Sequence, residues 1–364
     1  MKTFKKIIVI VVILMVILAL RTMWYAGIFR PLSPVDQQAH TLITGMVGAE
    51  DITIDQSTGL ALVSSTDRRK ALQGDAVKGA IYQLDFMAKE PVFKDLTTSF
   101  DQDDFRPHGI SLYTDPLDST KWLFVVNHRI SGHSIEIFQY TDTSLIHSET
   151  IKSTLMKKPN DVVGVGKRSF YFTNDHDSDG GGFSSFEDFL LIGTGSVVYY
   201  DGNDMKMLDD GIRYANGINA SKDGKRLYVA ACTDGSINVY DRNPFKKSGN
   251  IPCKTGVDNL EWDADGNLWV GAHPKLLKFL SHAKDSQKKS PSQVLKINLQ
   301  NPENPEISEI YVNDGNPISG SSVAAVYKDR LLIGGVFDDG VIQIVQKNNL
   351  HGAKETASYI QIKN

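Results

Sequence analysis

Six short stretches of the chain put small polar side chains directly ahead of an apolar residue: Ala49-Glu-Asp-Ile52, Pro107-His-Gly-Ile110, Pro159-Asn-Asp-Val162, Ala215-Asn-Gly-Ile218, Val257-Asp-Asn-Leu260 and Gly320-Ser-Ser-Val323. They carry the acids Glu50, Asp51, Asp161 and Asp258, the amides Asn160, Asn216 and Asn259, His108, and the Ser321/Ser322 pair, with no lysine or arginine among them. Brought to one place, such a set is too costly to bury unpaired. Carboxylate and amide oxygens without thiols are what a hard cation takes, about six to eight at a time, and calcium is the expected occupant. Asp and Asn also favour turns, but turn preference does not account for a common phase along the chain. Neighbouring residues of an extended chain point to opposite sides, so Glu50-Asp51 and Asn160-Asp161 can each serve two ions at different depths.

Histidines are the second chemical resource. His108 lies in one of the stretches, His128 ends Val125-Val-Asn-His128, His176 ends Asn174-Asp-His176, and His273 precedes Pro274. An imidazole beside a cation can take a proton from water while the ion polarises a carbonyl. The chain has no Gly-x-Ser-x-Gly elbow, which disfavours a serine hydrolase. It has no His-Glu-x-x-His and no Cys/His ligand set, which disfavours zinc. Cys232 and Cys253 are too few for a disulfide scaffold; each sits in or beside an apolar run, as a buried free thiol does.

The elements that must position these residues are short strands. Residues 214–241 show the unit most clearly: 215–220, then Lys222-Asp-Gly224 with a hairpin's Asp-Gly, then the apolar run 226–232, a Thr233-Asp-Gly235 turn, and the alternating 236–240. This reads as one blade of a β-propeller. The other stretches are followed by second strands at 60–64, 122–127, 169–173, 268–272 and 330–334. Third strands follow at 80–84, 134–140, 196–200, either 276–280 or 294–297, and 341–345. A recurrence of roughly 40 to 65 residues is in or just above the blade period. The expected fold is all-β, a six-bladed propeller with a central calcium-binding channel, preceded by an N-terminal hydrophobic anchor helix. Innermost strands line that channel, so the polar stretches converge there. Two inserts interrupt the pattern. Residues 177–194 carry Phe183, Phe186, Phe189 and Leu190, which suggest a short amphipathic helix over the channel mouth. Residues 281–292, with Lys284, Lys288 and Lys289, read as a solvated loop.

The expected organisation is a tail over residues 1–6, a signal anchor or transmembrane segment over 7–29, a linker over 30–38 and the propeller over 39–364. Residues 7–20 contain no polar side chain, Lys2, Lys5 and Lys6 precede them, and Trp24 and Tyr25 suit a membrane interface. No small-x-small cleavage signal follows, so an uncleaved anchor is favoured over a removed signal peptide. Either reading puts the propeller outside the cytosol, secreted if the segment is cleaved. The net charge of −4 offers no basic face for nucleic acid.

Glu50-Asp51, Arg106-Pro-His-Gly-Ile-Ser111, Val125-Val-Asn-His128, Asn160-Asp161, Thr173-Asn-Asp-His176, Ala215-Asn-Gly-Ile-Asn219, Val257-Asp-Asn259 and Trp269-Val-Gly-Ala-His-Pro274 resemble, in order, the paraoxonase/arylesterase family. The resemblance implies a calcium-dependent hydrolase of lactones and aryl esters with a pair of calcium ions. By this resemblance Glu50, Asn160, Asn216, Asp258 and Asn259 hold an upper, catalytic calcium, and Asp51, the Ile110 carbonyl and Asp161 hold a deeper, structural one. His108 and His128 match the base and its helper, and Asp175, His176 and His273 match pocket walls. Tyr214, two residues before Asn216, joins them as a candidate wall. The chain departs from the family at its ends, which lack the cysteines that tie some members together, and at Ala272, where the family has a cysteine. It also departs at Arg68 to Lys70, where an aromatic is expected. The competing expectation is a membrane-anchored scaffold or assembly protein of the same fold with purely structural calcium. A gluconolactonase-like enzyme fits the histidine motifs less well.

Overall fold

The computed structural model of the chain describes residues 2–35, 40–75, 77–100, 104–178 and 187–346. Its strands form six four-stranded antiparallel sheets, a six-bladed β-propeller. The first strand, β1 (His40–Val47), belongs to the last blade. Blade one is β2 (Ala49–Asp55), β3 (Leu60–Ser65), β4 (Ala80–Asp85) and β5 (Val92–Asp95), and blade two is β6 (Pro107–Thr114), β7 (Lys121–Asn127), β8 (Ser134–Tyr140) and β9 (Leu145–Ile151). Blade three is β10 (Pro159–Gly164), β11 (Phe170–Asn174), β12 (Gly195–Tyr200) and β13 (Met205–Ile212). Blade four is β14 (Ala215–Ala220), β15 (Arg226–Ala231), β16 (Ser236–Arg242) and β17 (Phe245–Pro252). Blade five is β18 (Gly256–Trp262), β19 (Asn267–His273), β20 (Gln293–Asn298) and β21 (Glu306–Val312). In the sixth, β22 (Ser321–Tyr327), β23 (Arg330–Gly335) and β24 (Asp339–Val345) are completed by β1. β1 runs from His40 opposite Ile344 to Val47 opposite Asp339, so the ring closes by strand pairing. Both cysteines are free thiols, Cys232 buried and Cys253 half-buried.

Burial grades outward from the axis as the residue types require. The innermost β2 is buried at every position, whereas the outermost β17, rich in lysine and glycine, is mostly exposed. Aliphatic and aromatic side chains fill the seams between blades. Ile52, Val63 and Leu84 of blade one, for example, meet Val323, Leu332 and Val341 of blade six.

Every innermost strand breaks register at its polar stretch: between Ala49 and Asp51, Pro107 and Ile110, Pro159 and Val162, Ala215 and Ile218, Val257 and Leu260, and Ser321 and Val323. A bulge re-aims side chains that regular alternation would send to opposite faces. The simple alternation expected for the Glu50-Asp51 and Asn160-Asp161 doublets is thus modified where it matters. Glycine completes two of these crossings. A Cβ on Gly109 would lie 2.5 Å from the Asp161 Cα, and one on Gly217 would lie 2.5 Å from the Asp258 carbonyl oxygen.

Helices among the described residues include α1 (Lys2–Tyr25), α2 (Arg68–Leu72) and α3 (Leu276–Lys284). Residues 3–25 are long and apolar enough to cross a membrane, and the shaft is not packed inside the protein. Its end is docked. The Thr22 hydroxyl donates to the Phe189 carbonyl at 2.7 Å, the Leu276 N–H donates to the Ala26 carbonyl at 3.1 Å, and Lys275 Nζ donates to the Gly27 carbonyl at 2.7 Å.

Helix α3 resolves the ambiguity in blade five, whose third strand is β20, not 276–280. It also corrects the reading of 281–292 as a solvated loop. The lysines are exposed, but His282, Ser290 and Ser292 are fully buried. The backbone there turns inward because these small polar side chains find partners, such as the Ile318 carbonyl for the Ser292 hydroxyl at 2.9 Å. In the other insert, Phe183 and Phe186 lie outside the described residues. Residues 187–190 form a helical turn in which Phe189 is exposed and Glu187 is buried against the Thr194 hydroxyl.

Candidate active site and cation centre

The bulged inner strands gather Glu50, Asp51, Asn160, Asp161, Asn216, Asp258 and Asn259 at the axis, none more than 5% exposed. They fall into two kinds. Asp51 accepts from the Ile52 N–H at 2.9 Å and, across the seam to blade two, from the Ile110 N–H at 2.7 Å. Asp161 repeats this with Val162 and, in blade four, Ile218, both at 2.7 Å. These carboxylates staple blades together. By contrast, Glu50 Oε2, Asn160 Oδ1, Asn216 Oδ1 and Asn259 Oδ1 are buried oxygens with no hydrogen bond among the described residues. Their orientation is imposed from behind: Asn259 Nδ2 donates to Glu50 Oε1 at 2.9 Å, and His273 Nε2 donates to Asp258 Oδ2 at 2.7 Å.

An unmet buried oxygen costs about 1–3 kcal/mol, and several on one axis call for a common partner. Oxygen-only donors suit a hard cation. Among the described residues no group of three His, Cys, Asp or Glu side chains forms a metal-binding cluster, so the donor set depends on its amides. Electrostatics point the same way. Burial pushes the Glu50 carboxyl up to about 8 against the pull of Arg68, and Asp51 up to about 7 against its backbone hydrogen bonds. Burial, with Asp51 nearby, holds Asp161 well above the carboxylate range.

The histidines divide into distinct roles. His108 and His128 lie face to face, ring centroids 4.7 Å apart and 7° from parallel, so no hydrogen bond links them edge to edge. Their tautomers follow from their partners. Arg68 Nε can only donate, so His108 Nδ1 accepts from it at 3.2 Å. The Pro159 carbonyl can only accept, so His128 Nε2 carries the proton in their 2.7 Å bond. Burial, assisted by Arg68, keeps His108 well below the usual histidine range, and burial with His133 lowers His128 to about 3. His176 is the opposite case. Burial alone would lower it, but Asp175 at 2.8 Å and Asp188 at 3.3 Å raise it to about 9, an imidazolium at neutral pH. Its ring meets Tyr214 edge-on at 5.1 Å, and Tyr214 holds a left-handed φ of 52°. His273 stacks on Phe279 at 3.9 Å behind Asp258. The expected residues therefore form one axial cluster with three histidine corners.

Arg68 is the residue that motif reasoning missed. It opens α2, in the connector between β3 and β4, and its guanidinium reaches the axis 3.7 Å from Glu50 Oε2. The absence of Arg or Lys from the inner strands holds, but the axis is not free of cationic side chains.

A six-bladed propeller with a bulged, oxygen-lined axis defines a class of sites rather than one protein. The arylesterase family model matches residues 31–342. Serum paraoxonase/arylesterase 1 of Homo sapiens is 35% identical over 323 residues, covering 85% of this chain and 89% of that protein. Serum paraoxonase/lactonase 3 of Oryctolagus cuniculus is 36% identical over 322 residues, covering 85% and 90%. The chain belongs to the arylesterase family, which includes the serum paraoxonases. Among solved structures, a luciferin-regenerating enzyme (TM-score 0.54, 15% identity, 86% of this chain and 96% of that one) shares the fold. So does the calcium-binding protein regucalcin from Agrobacterium tumefaciens (TM-score 0.52, 14% identity, 86% and 95%).

Proposed function

We infer that the chain hydrolyses lactones and aryl esters with the help of calcium at the propeller axis. The observation that carries this reading is the set of buried oxygens on Glu50, Asn160, Asn216 and Asn259 that make no hydrogen bond among the described residues. With Asp258 they would hold the upper ion, and Asp51, Asp161 and the Ile110 carbonyl the deeper one. Bound calcium supplies fixed positive charge where a carbonyl oxygen becomes negative. His273 orients Asp258, and Asn259 orients Glu50, so the donor set is fixed before substrate arrives. His108 and His128 are the proposed proton acceptors for the attacking water. Both rings are held neutral, the form with a lone pair to offer. His128 Nδ1 makes no hydrogen bond to the described residues, whereas His108 Nδ1 accepts from Arg68, so the lone pair on offer to water is that of His128 and His108 stacks beside it as its helper. Tyr214, Asp175, His176 and His273 would form the walls. Helix α1 would anchor the protein, with the propeller outside the cytosol.

A scaffold with purely structural calcium is the second reading, favoured by the Arg68 contacts that engage Glu50 and His108 together. One assay separates them: the purified protein against an aliphatic lactone and phenyl acetate, with and without a chelator. Turnover that disappears on chelation supports the hydrolase. Bound calcium with no turnover of either substrate supports the scaffold.

A further inference from the structure

The guanidinium of Arg68 is held at every nitrogen. Nε donates to His108 Nδ1 at 3.2 Å, and Nη1 donates to the Gly48 carbonyl at 2.9 Å and the Thr66 carbonyl at 3.3 Å. Nη2 donates to the Pro107 carbonyl at 3.0 Å and lies 3.7 Å from Glu50 Oε2. The side chain is only 13% exposed. Three of these partners are backbone carbonyls of blades one and two, which do not depend on any ion. Arg68 thus cannot swing away from the axis without leaving those carbonyls and its own charge unmatched. It offers an incoming cation nothing either, since a guanidinium has donors and no acceptor.

We propose that Arg68 is a built-in competitor for the upper cation site, a fixed positive charge that weakens calcium binding there. This rests on the reading that Glu50, Asn160, Asn216, Asp258 and Asn259 take calcium. The argument is electrostatic. Glu50 Oε2 is the one carboxyl oxygen among the set without hydrogen bonds, and Arg68 is the cationic side chain 3.7 Å from it. A cation bound through that oxygen sits within a few ångströms of the guanidinium, where two positive charges repel strongly even at an effective dielectric of about 20. The pair is buried, so salt screens it little. The loaded protein therefore holds its upper ion more weakly, and releases it faster, than it would without this charge.

The test is calorimetric titration of calcium into the full-length, chelator-stripped protein in detergent, without any substrate. Arg68→Met and Arg68→Gln are expected to bind calcium about tenfold or more tightly at one of the sites, with the other unchanged. Arg68→Lys keeps the charge and stays near the wild-type affinity. Should the neutral variants unfold without metal, calcium release from the loaded proteins into a fluorescent chelator replaces the titration, and slower release than wild type is expected. Thermal unfolding gives a second sign: the gain in Tm on adding calcium is larger for Arg68→Met than for wild type. Neutral variants that bind no more tightly and release no more slowly than wild type overturn the proposal while leaving the calcium reading intact. Wild-type protein that binds no calcium at all overturns both.

Discussion

Two layers of the same inner strands make a controlled comparison. Asp51 and Asp161 have their oxygens met by backbone N–H groups of their own and the next blade. Glu50, Asn160, Asn216 and Asn259, one position away or on neighbouring strands, keep an oxygen with no hydrogen bond among the described residues. One layer holds blades together as well as lining the proposed deeper site, and the other leaves oxygens for something the chain itself does not provide. The two layers therefore divide by hydrogen-bond satisfaction, not by residue type, since both contain acids.

The largest expected effect comes from the unsatisfied layer. Asn216→Ala should lower turnover of phenyl acetate and an aliphatic lactone by about three orders of magnitude, the scale seen when a group stabilising the developing charge is lost. Its stability in chelator should change little, because the oxygen removed makes no hydrogen bond. Full activity of a metal-stripped Asn216→Ala protein would sink the calcium-dependent mechanism. His128→Gln comes next, lowering kcat by about 10²–10⁴ while leaving calcium affinity unchanged; a loss of calcium binding instead would make His128 part of the cation site.

The satisfied layer should answer in stability. Asp161→Ala strips the acceptor from the Val162 and Ile218 N–H groups. At about 1–3 kcal/mol for each unmet buried donor, urea unfolding in chelator should show a loss of about 2–6 kcal/mol. A loss no larger than that of Asn216→Ala would erase the distinction between the layers.

The smallest effect is a pH dependence shared by both layers. Unfolded carboxyls titrate near 4, whereas Glu50 is raised to about 8 and Asp51 to about 7 in the fold. Between those limits the folded protein holds more protons than the unfolded chain, so its stability falls as pH rises. Chelator-stripped protein should melt at a higher temperature at pH 5 than at pH 8. Calcium binds the deprotonated form, so the stabilisation it adds should grow over the same range. Identical melting profiles with and without calcium at both pH values would break this link.

Much of the architecture is local in origin and readable as such. The Asp223-Gly224 and Asp234-Gly235 turns use glycines with φ of 68° and 64°, and the apolar run between them becomes β15. Strand periodicity and turn chemistry are written in adjacent residues, and the common phase of the polar stretches follows from them. That is why the axial acids and amides could be named from the chain alone.

What adjacent residues do not encode is how distant ones meet. The bulge in every inner strand, the capture of β1 by the last blade, and the choice of helix over strand at α3 each depend on a neighbour remote in sequence. So does the division between met and unmet oxygens, because whether Asp51 is satisfied turns on the Ile110 N–H of another blade. Arg68 is the clearest case. Its type and position looked like a connector residue with an aromatic missing, and only the folding of blades one and two around it brings its charge to Glu50. Composition and spacing determined which oxygens this protein owns; tertiary packing decided which of them are left for a cation, and which positive charge stands in its way.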